Sequence, residues 1–370
     1  MNDITMTSAT PENKNALRRG WTTGACATAA TKAAYVAWRT GRAPDPVQIT
    51  LPRGEQPSFA LAEEQQEVDG YTCGIIKDAG DDPDVTHGAL VRATIAGGPS
   101  GSGITFVAGP GVGTVTKPGL PVAVGEPAVN PVPRQLMESV IAEQAALLDG
   151  PSDVTLTLGI ENGAELAQKT WNPRLGIVGG LSILGTTGVV HPFSCSAWIH
   201  SIHRGVDVAR AEGLTHLVGA TGSTSEATAQ NHFALPDQAM IDMGDFAGGL
   251  LKYVRFHPVP RVTIAGGFAK MCKLANGRMD LHSGRSQVDF DWLAGQLKDL
   301  NAPNDLQELA ANANTALEVL TACQAAGIDL PSRVAELAQD QAQKVVKSAE
   351  IQLGILIIDR AGKILAERNG

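Results

Sequence analysis

Three carboxylates and one imidazole stand where this chain could do acid–base or hydroxyl-binding chemistry. Glu226 closes the glycine loop TGSTSE (Thr221–Glu226), and Asp245 lies in MGDFAGGLLKY (Met243–Tyr253). MDLHS sets Asp280 two residues before His282. A carboxylate beside a glycine loop can accept the hydroxyls of a ribose, and glycine lets a ligand come close to the backbone. A histidine near a carboxylate is a fair proton acceptor at neutral pH, although a lone surface histidine is the commoner case. For any single loop, glycines that serve only turns and helix ends are the plainer reading. Ser223, Ser225, Asp245 and His282 could be drawn as a hydrolytic triad, but no GxSxG elbow supports it. Cys195, His200 and His203 fall within nine residues without a standard zinc spacing, so no metal site is expected.

Other segments suit anions. In LRRGWTTGACATAATKAA (Leu17–Ala34), Arg18 and Arg19 precede Thr22 and Thr23, either of which can cap the helix that the following small residues favour. A helix start offers N–H groups and a positive dipole end to a carboxylate or phosphate; an ordinary capped helix in a tight core is an equal alternative. GPGVGTVTKPGL (Gly109–Leu120) could cradle an anion with its glycines and Lys117, against the simpler reading of a hairpin or bulge. KDAGDDPDVTHG (Lys77–Gly88) gathers Asp78, Asp81, Asp82 and Asp84 but lacks the EF-hand spacing. No GxxxxGK[ST] is present, which removes a Walker-type nucleotide site.

These residues need a framework. A length of 370 residues allows two domains, and 43% hydrophobic residues are enough for a sizeable core. The net charge of −9 and 4% aromatic content argue against nucleic-acid binding. Five scattered cysteines without a CxxC pair suit a reduced cytoplasmic chain. The opening residues have no apolar signal region, and the longest apolar run, Leu175–Val190, is glycine-broken and too short to span a membrane. Residues 1–16 read as disordered. From Val47 to about Ile160 short β-rich runs alternate with helices over Gly24–Arg39 and about Arg134–Leu148, an α+β pattern. After about Trp171 the rhythm becomes strand, glycine loop, helix. Strands are expected at LGIVGG, LTHLVGAT, QAMIDMG and RVTIAGG, with helices at Phe193–Ala211, Ser225–His232, Phe246–Val254 and Phe268–Asn276. This argues for a parallel α/β sheet. Phe290–Lys347 reads as helical, and the final twenty residues as strand, turn, strand.

The blocks quoted above, with VGEPAVNPVPR (Val124–Arg134), GGLSILGTTGVVHPFS (Gly179–Ser194) and AGGFAKMCKLANGRMDLHS (Ala265–Ser283), resemble the CbiD family in its own order from about Leu17 to Ser283. The resemblance implies a cobalt-precorrin-5B C1-methyltransferase of cobalamin biosynthesis that uses S-adenosylmethionine. It implies a 17–170 α+β domain like the second domain of ribosomal protein S5, then a 171–370 three-layer parallel α/β domain with a helical tail. On that basis Gly222, Ser223, Thr224, Glu226, Asp245 and Gly248 are expected to hold the cofactor. Arg19, Thr22, Thr23, Lys117, Arg134 and Lys270 are expected to meet the carboxylates of the macrocycle in a cleft between the domains. His282 with Asp280 is the expected base. The expected partner is the cobalt-precorrin-5B macrocycle, with no nucleic acid or membrane, and a homo-oligomer is left open. The GxGxGDP-like loop of other methyltransferases of this pathway is absent, so the cofactor rests on the resemblance. Two other readings remain: a tetrapyrrole carrier without catalysis, and a small-molecule kinase built on Gly109–Lys117.

Overall fold

Helix α1, Thr23–Thr40, begins where Thr22 Oγ1 accepts from the Ala25 N–H at 3.2 Å, and it ends at Gly41, whose φ of 80° suits glycine. Nearly every residue from Thr23 to Ala37 is buried. Its small side chains make that tolerable, and Thr28 and Thr31 satisfy their hydroxyls on the carbonyls of Gly24 and Ala27. A Cβ on Gly24 would stand 2.9 Å from the Pro133 ring, so glycine is what lets helix α2, Pro131–Leu148, lie close. The two helices pack on a sheet of β1 (Glu63–Gln66), β2 (Gly70–Ile76), β3 (Leu90–Gly97), β4 (Ile104–Ala108) and β5 (Val154–Ile160). The order is β1-β2-β3-β5-β4; only the β5–β4 pair is parallel. Ile95, Leu156, Leu158, Met137 and Ile141 fill the core beneath α1. A short helix, α3 (Gly163–Ala167), follows β5.

The computed structural model describes residues 17–348 and 350–370; the segment 1–16, expected to be disordered, lies outside them. The chain divides into two compact units. One holds the chain through Thr114 with Glu126–Thr170 and Gly179–Ser194, and the other holds Val115–Gly125, Trp171–Val178 and Cys195–Gly370. The chain thus crosses between units more often than one change of rhythm near Trp171 suggests. The excursion Val115–Gly125 joins the second unit because Lys117 pairs with Glu212 at 3.0 Å and Gly119 lies against the Asp207 and Val208 backbone.

The second unit is built on β6 (His216–Ala220), β7 (Met240–Asp242), β8 (Arg261–Gly267), β9 (Gln352–Ile358) and β10 (Ile364–Arg368), in the order β7-β6-β8-β9-β10. The first four strands are parallel, and β10 returns antiparallel. Alternate residues face opposite sides, as strands require. Leu217, Ile241, Ile264 and Ile355 pack against α4 (Cys195–Ala211), α6 (Ala247–Val254) and α7 (Phe268–Ala275). Val218, Met240, Ala265 and Leu356 pack on the other side against α5 (Ser223–Phe233). Helices α8 (Phe290–Asp299), α9 (Asn304–Ala311), α10 (Ala316–Ala325) and α11 (Leu330–Val346) resolve the long helical run into four and join the first face. LGIVGG is not a strand of this sheet, contrary to expectation. Gly180–Leu181 pairs instead with Gly111–Val112 in the first unit, where the absence of a Cβ lets the two backbones meet. Among the described residues no helix is long and apolar enough to cross a membrane.

Candidate functional site

In an open parallel sheet, ligands bind at the carboxyl ends of the strands where neighbouring loops leave towards opposite faces. Here β6 runs into α5 on one face and its neighbour β8 runs into α7 on the other. The order β7-β6-β8 therefore opens a crevice between Thr221–Ser223 and Gly266–Phe268. Gly222 has extended backbone, and nothing lies within 4 Å of the place a Cβ would take; the same holds for Gly267. Neither α5 nor α7 receives a side-chain cap. Ser225 Oγ turns back to the Gly222 carbonyl at 2.7 Å instead of capping its own helix. Gly266 does the opposite job: a Cβ there would meet Thr221 Oγ1 at 2.7 Å, so it serves packing.

Charged groups rim this crevice. Lys270 Nζ donates to the Thr221 carbonyl at 2.8 Å and lies 3.1 Å from Asp245 Oδ1. That oxygen is buried and has no aligned hydrogen bond; its contact with Lys270 is an ion pair. Glu226 is ion-paired with Arg174, whose guanidinium also lies over the Trp171 ring at 5.5 Å. Burial, then the Glu226 charge, pushes the Asp242 carboxyl above the usual range, against the pull of Arg174. The sequence-predicted residues Gly222, Ser223, Thr224, Glu226, Asp245 and Lys270 thus belong to one strand-end region.

Gly248 belongs to packing. Its N–H donates to the Met279 carbonyl at 2.8 Å, and a Cβ would stand 2.8 Å from Met279 Cβ. The Leu281 N–H reaches the Asp245 carbonyl at 2.8 Å, which brings the Asp280–His282 segment beside Asp245. The two side chains do not form the expected pair. Asp280 takes Arg285 and the His282 backbone N–H at 3.1 Å, while His282 Nδ1 accepts from the Gly284 N–H. The ring is exposed.

In the first unit, Thr22 and Thr23 are buried, and the N–H groups of Gly24, Ala25 and Cys26 go to Leu184, Thr22 Oγ1 and the Thr22 carbonyl. This helix start is a closed cap, not the open anion site the sequence allows. Arg134 Nε donates to Val129 at 2.9 Å and Nη2 to Pro127 at 3.1 Å, with Glu126 at 3.2 Å and Phe106 beneath. Lys117 is held by Glu212. Arg19 is exposed and has no ion pair among the described residues. The Gly109–Lys117 loop is no phosphate cradle: the N–H groups of Gly109, Val112, Gly113 and Thr116 all reach carbonyls. KDAGDDPDVTHG is a clasp. Lys77, 1% exposed, donates to Asp84 at 2.7 Å; Asp78 takes Arg18; Asp82 accepts from the Phe193 N–H. Sequence reasoning missed Arg174, which carries no local signal, and Asp242, which ends a strand twenty residues after Gly222, a spacing that could have exposed it.

A mostly parallel sheet with uncapped helix starts and carboxylates at its carboxyl edge makes this unit an α/β fold of the kind that carries its ligands at that edge. The CbiD family model matches residues 10–192, and the model of the CbiD C-terminal domain matches residues 280–369. A Brucella anthropi protein named cobalt-precorrin-5B C(1)-methyltransferase is 56% identical over 99% of this chain and 100% of its own length. A Rhodospirillum rubrum protein of the same name is 58% identical over 95% of this chain and 97% of its own. A crystal structure of the cobalamin biosynthesis protein cbiD from Archaeoglobus fulgidus is 26% identical, covering 73% of this chain and 83% of that one, with a TM-score of 0.40. The chain belongs to the CbiD family.

Proposed function

We propose that this chain is a methyltransferase that places a methyl group on C1 of cobalt-precorrin-5B to give cobalt-precorrin-6A, with S-adenosylmethionine as the donor. The observation that carries the reaction is identity of 56–58% over nearly the whole chain to proteins of that name. The donor is supported by the strand-end crevice: open Gly222 and Gly267, an uncapped α5, and Asp245 Oδ1, buried with an ion pair to Lys270 but no hydrogen bond. A ligand with an amino-acid zwitterion and a ribose suits that mixture of N–H donors and carboxylates.

When bound, S-adenosylmethionine supplies an electrophilic methyl on a sulfonium. The first-turn N–H groups of α5 would hold its α-carboxylate, and Asp245, shared with Lys270, would hold its ammonium. Rigid strand ends hold this geometry, and orientation of reacting atoms is worth up to roughly 7–11 kcal/mol of barrier in favourable cases. Exposed Arg19 and Arg278 are free to meet carboxylates of the macrocycle, whereas Lys117 and Arg134 would first release Glu212 and Glu126. His282, with its ring exposed, is the proposed proton acceptor. The enzyme is proposed to work in the cytoplasm; no disulfide joins its five cysteines.

Titration calorimetry with S-adenosylhomocysteine, followed by mass spectrometry after incubation with cobalt-precorrin-5B and the methyl donor, tests this reading. Binding and the gain of one methyl are expected. Macrocycle binding with neither nucleoside affinity nor mass gain would replace the enzyme by a carrier.

A further inference from the structure

Asp242 is the last residue of β7, the strand beside β6, and its register partner is Ala220, the last residue of β6. Alternation along β7 puts it on the side of Met240, the face that α5 covers. Asp242 therefore stands at a strand end next to the open Gly222 loop, on the same side as Glu226. Of these two carboxylates, Glu226 is committed to Arg174. The Asp242 carboxylate takes the Gly244 backbone N–H but no hydrogen bond from another side chain among the described residues, so part of its acceptor capacity remains. The strand end is also fixed: Trp198 Nε1 donates to the Asp242 carbonyl at 3.0 Å, and its indole rests where a Cβ on Gly244 would come within 3.4 Å. Three residues further on, Asp245 Oδ1 is buried with no hydrogen bond and only its ion pair with Lys270.

In dinucleotide-binding folds, an acidic residue about twenty positions beyond the glycine loop, on the adjacent strand, accepts the ribose hydroxyls. We propose that Asp242 accepts the ribose 2′-hydroxyl of an adenosyl ligand whose charged end lies over the start of α5. This role falls to Asp242 instead of Glu226. The inference rests on the donor site proposed above and adds which ligand group the enzyme discriminates and with which side chain. A carboxylate held against a hydroxyl discriminates strongly, because the analogue lacking that hydroxyl leaves a half-buried charge unmatched.

The test is calorimetric titration of the full chain with S-adenosylhomocysteine and with its 2′-deoxy analogue. The wild type is expected to bind the deoxy analogue about 10–100-fold more weakly, the range of a hydrogen bond to a charged group. Asp242→Asn is expected to weaken S-adenosylhomocysteine by a similar factor and to bind the two ligands nearly alike. Glu226→Gln should keep the wild-type discrimination. Equal binding of both ligands by the wild type overturns the role of Asp242 while leaving the donor site standing, and this arm needs no variant to fold. Undiminished discrimination in Asp242→Asn does the same. A wild type that binds neither ligand, with or without macrocycle, removes the donor site and this inference together.

Discussion

The starts of α1 and α5 use the same vocabulary, with Thr and Gly before a run of small residues, yet they come out differently. At α1 the first N–H groups are taken by Thr22 and Leu184, and Gly24 is filled from outside by Pro133. At α5 there is no side-chain cap, and the space above Gly222 is empty. Individual glycines divide in the same way. Gly111 lies against Ile160 and Gly163, and Gly180 against Gly111, whereas Gly222 and Gly267 meet nothing. A ligand site is marked by helix-start donors that the fold leaves over, and glycine content alone does not reveal which are left over.

The contrast can be broken at its structural side first. Lys77→Met should cost about 3–5 kcal/mol, because Asp84 would keep a charge in a partly buried place without its partner. Urea denaturation would show it, and adding Asp84→Asn should recover part of the loss. A neutral Lys77→Met would mean the aspartate-rich loop is no clasp. Next comes a matched pair of glycines. Gly111→Ala should lose about 3 kcal/mol, since its φ is +77° and the new Cβ would lie 2.0 Å from the Ile160 carbonyl oxygen. Gly222→Ala should stay within about 0.5 kcal/mol of the parent and yet weaken S-adenosylhomocysteine about tenfold. Equal stability losses in the two variants would erase the distinction between filled and open glycines.

The smallest effect concerns acid. The Arg18 guanidinium and then the Gly80 N–H hold the Asp78 carboxyl down at about 2. A carboxyl lowered in the folded state adds stability above its unfolded value of about 4, and that stability is lost as pH falls towards about 2. Both partners are substantially exposed, so the whole contribution is under about 1 kcal/mol. Melting temperatures measured across that window should fall less steeply for Asp78→Asn than for the parent. Parallel curves would assign the acid sensitivity elsewhere.

Much of this framework is legible in the residues. The cap at Thr22, the stop at Gly41 and three strand–loop–helix passages of the second unit are local signals, read within a few positions of themselves. LGIVGG misleads for the opposite reason: its last glycine, Gly180, serves a pairing with Gly111 nearly seventy positions away, and Gly176 packs on Lys117. The basic residues are harder still. Lys117 and Arg134 sit in blocks that suit a polyanionic ligand, but what they hold is decided by Glu212, 95 positions downstream, and by carbonyls and Glu126 upstream. Asp242 shows nothing alone; it matters only once β7 is known to lie beside β6.

The pairing of Gly20–Trp21 with Val189–Val190 sets a schedule for synthesis. The earliest of these residues leaves the ribosome about 170 positions before its partner, a wait of roughly 10–30 s at ordinary elongation rates. Through that interval the segment ahead of α1 is without the strand that later covers it. A stall anywhere in the first half of the message would prolong that exposure, and a chaperone that shields the nascent end would shorten its consequences.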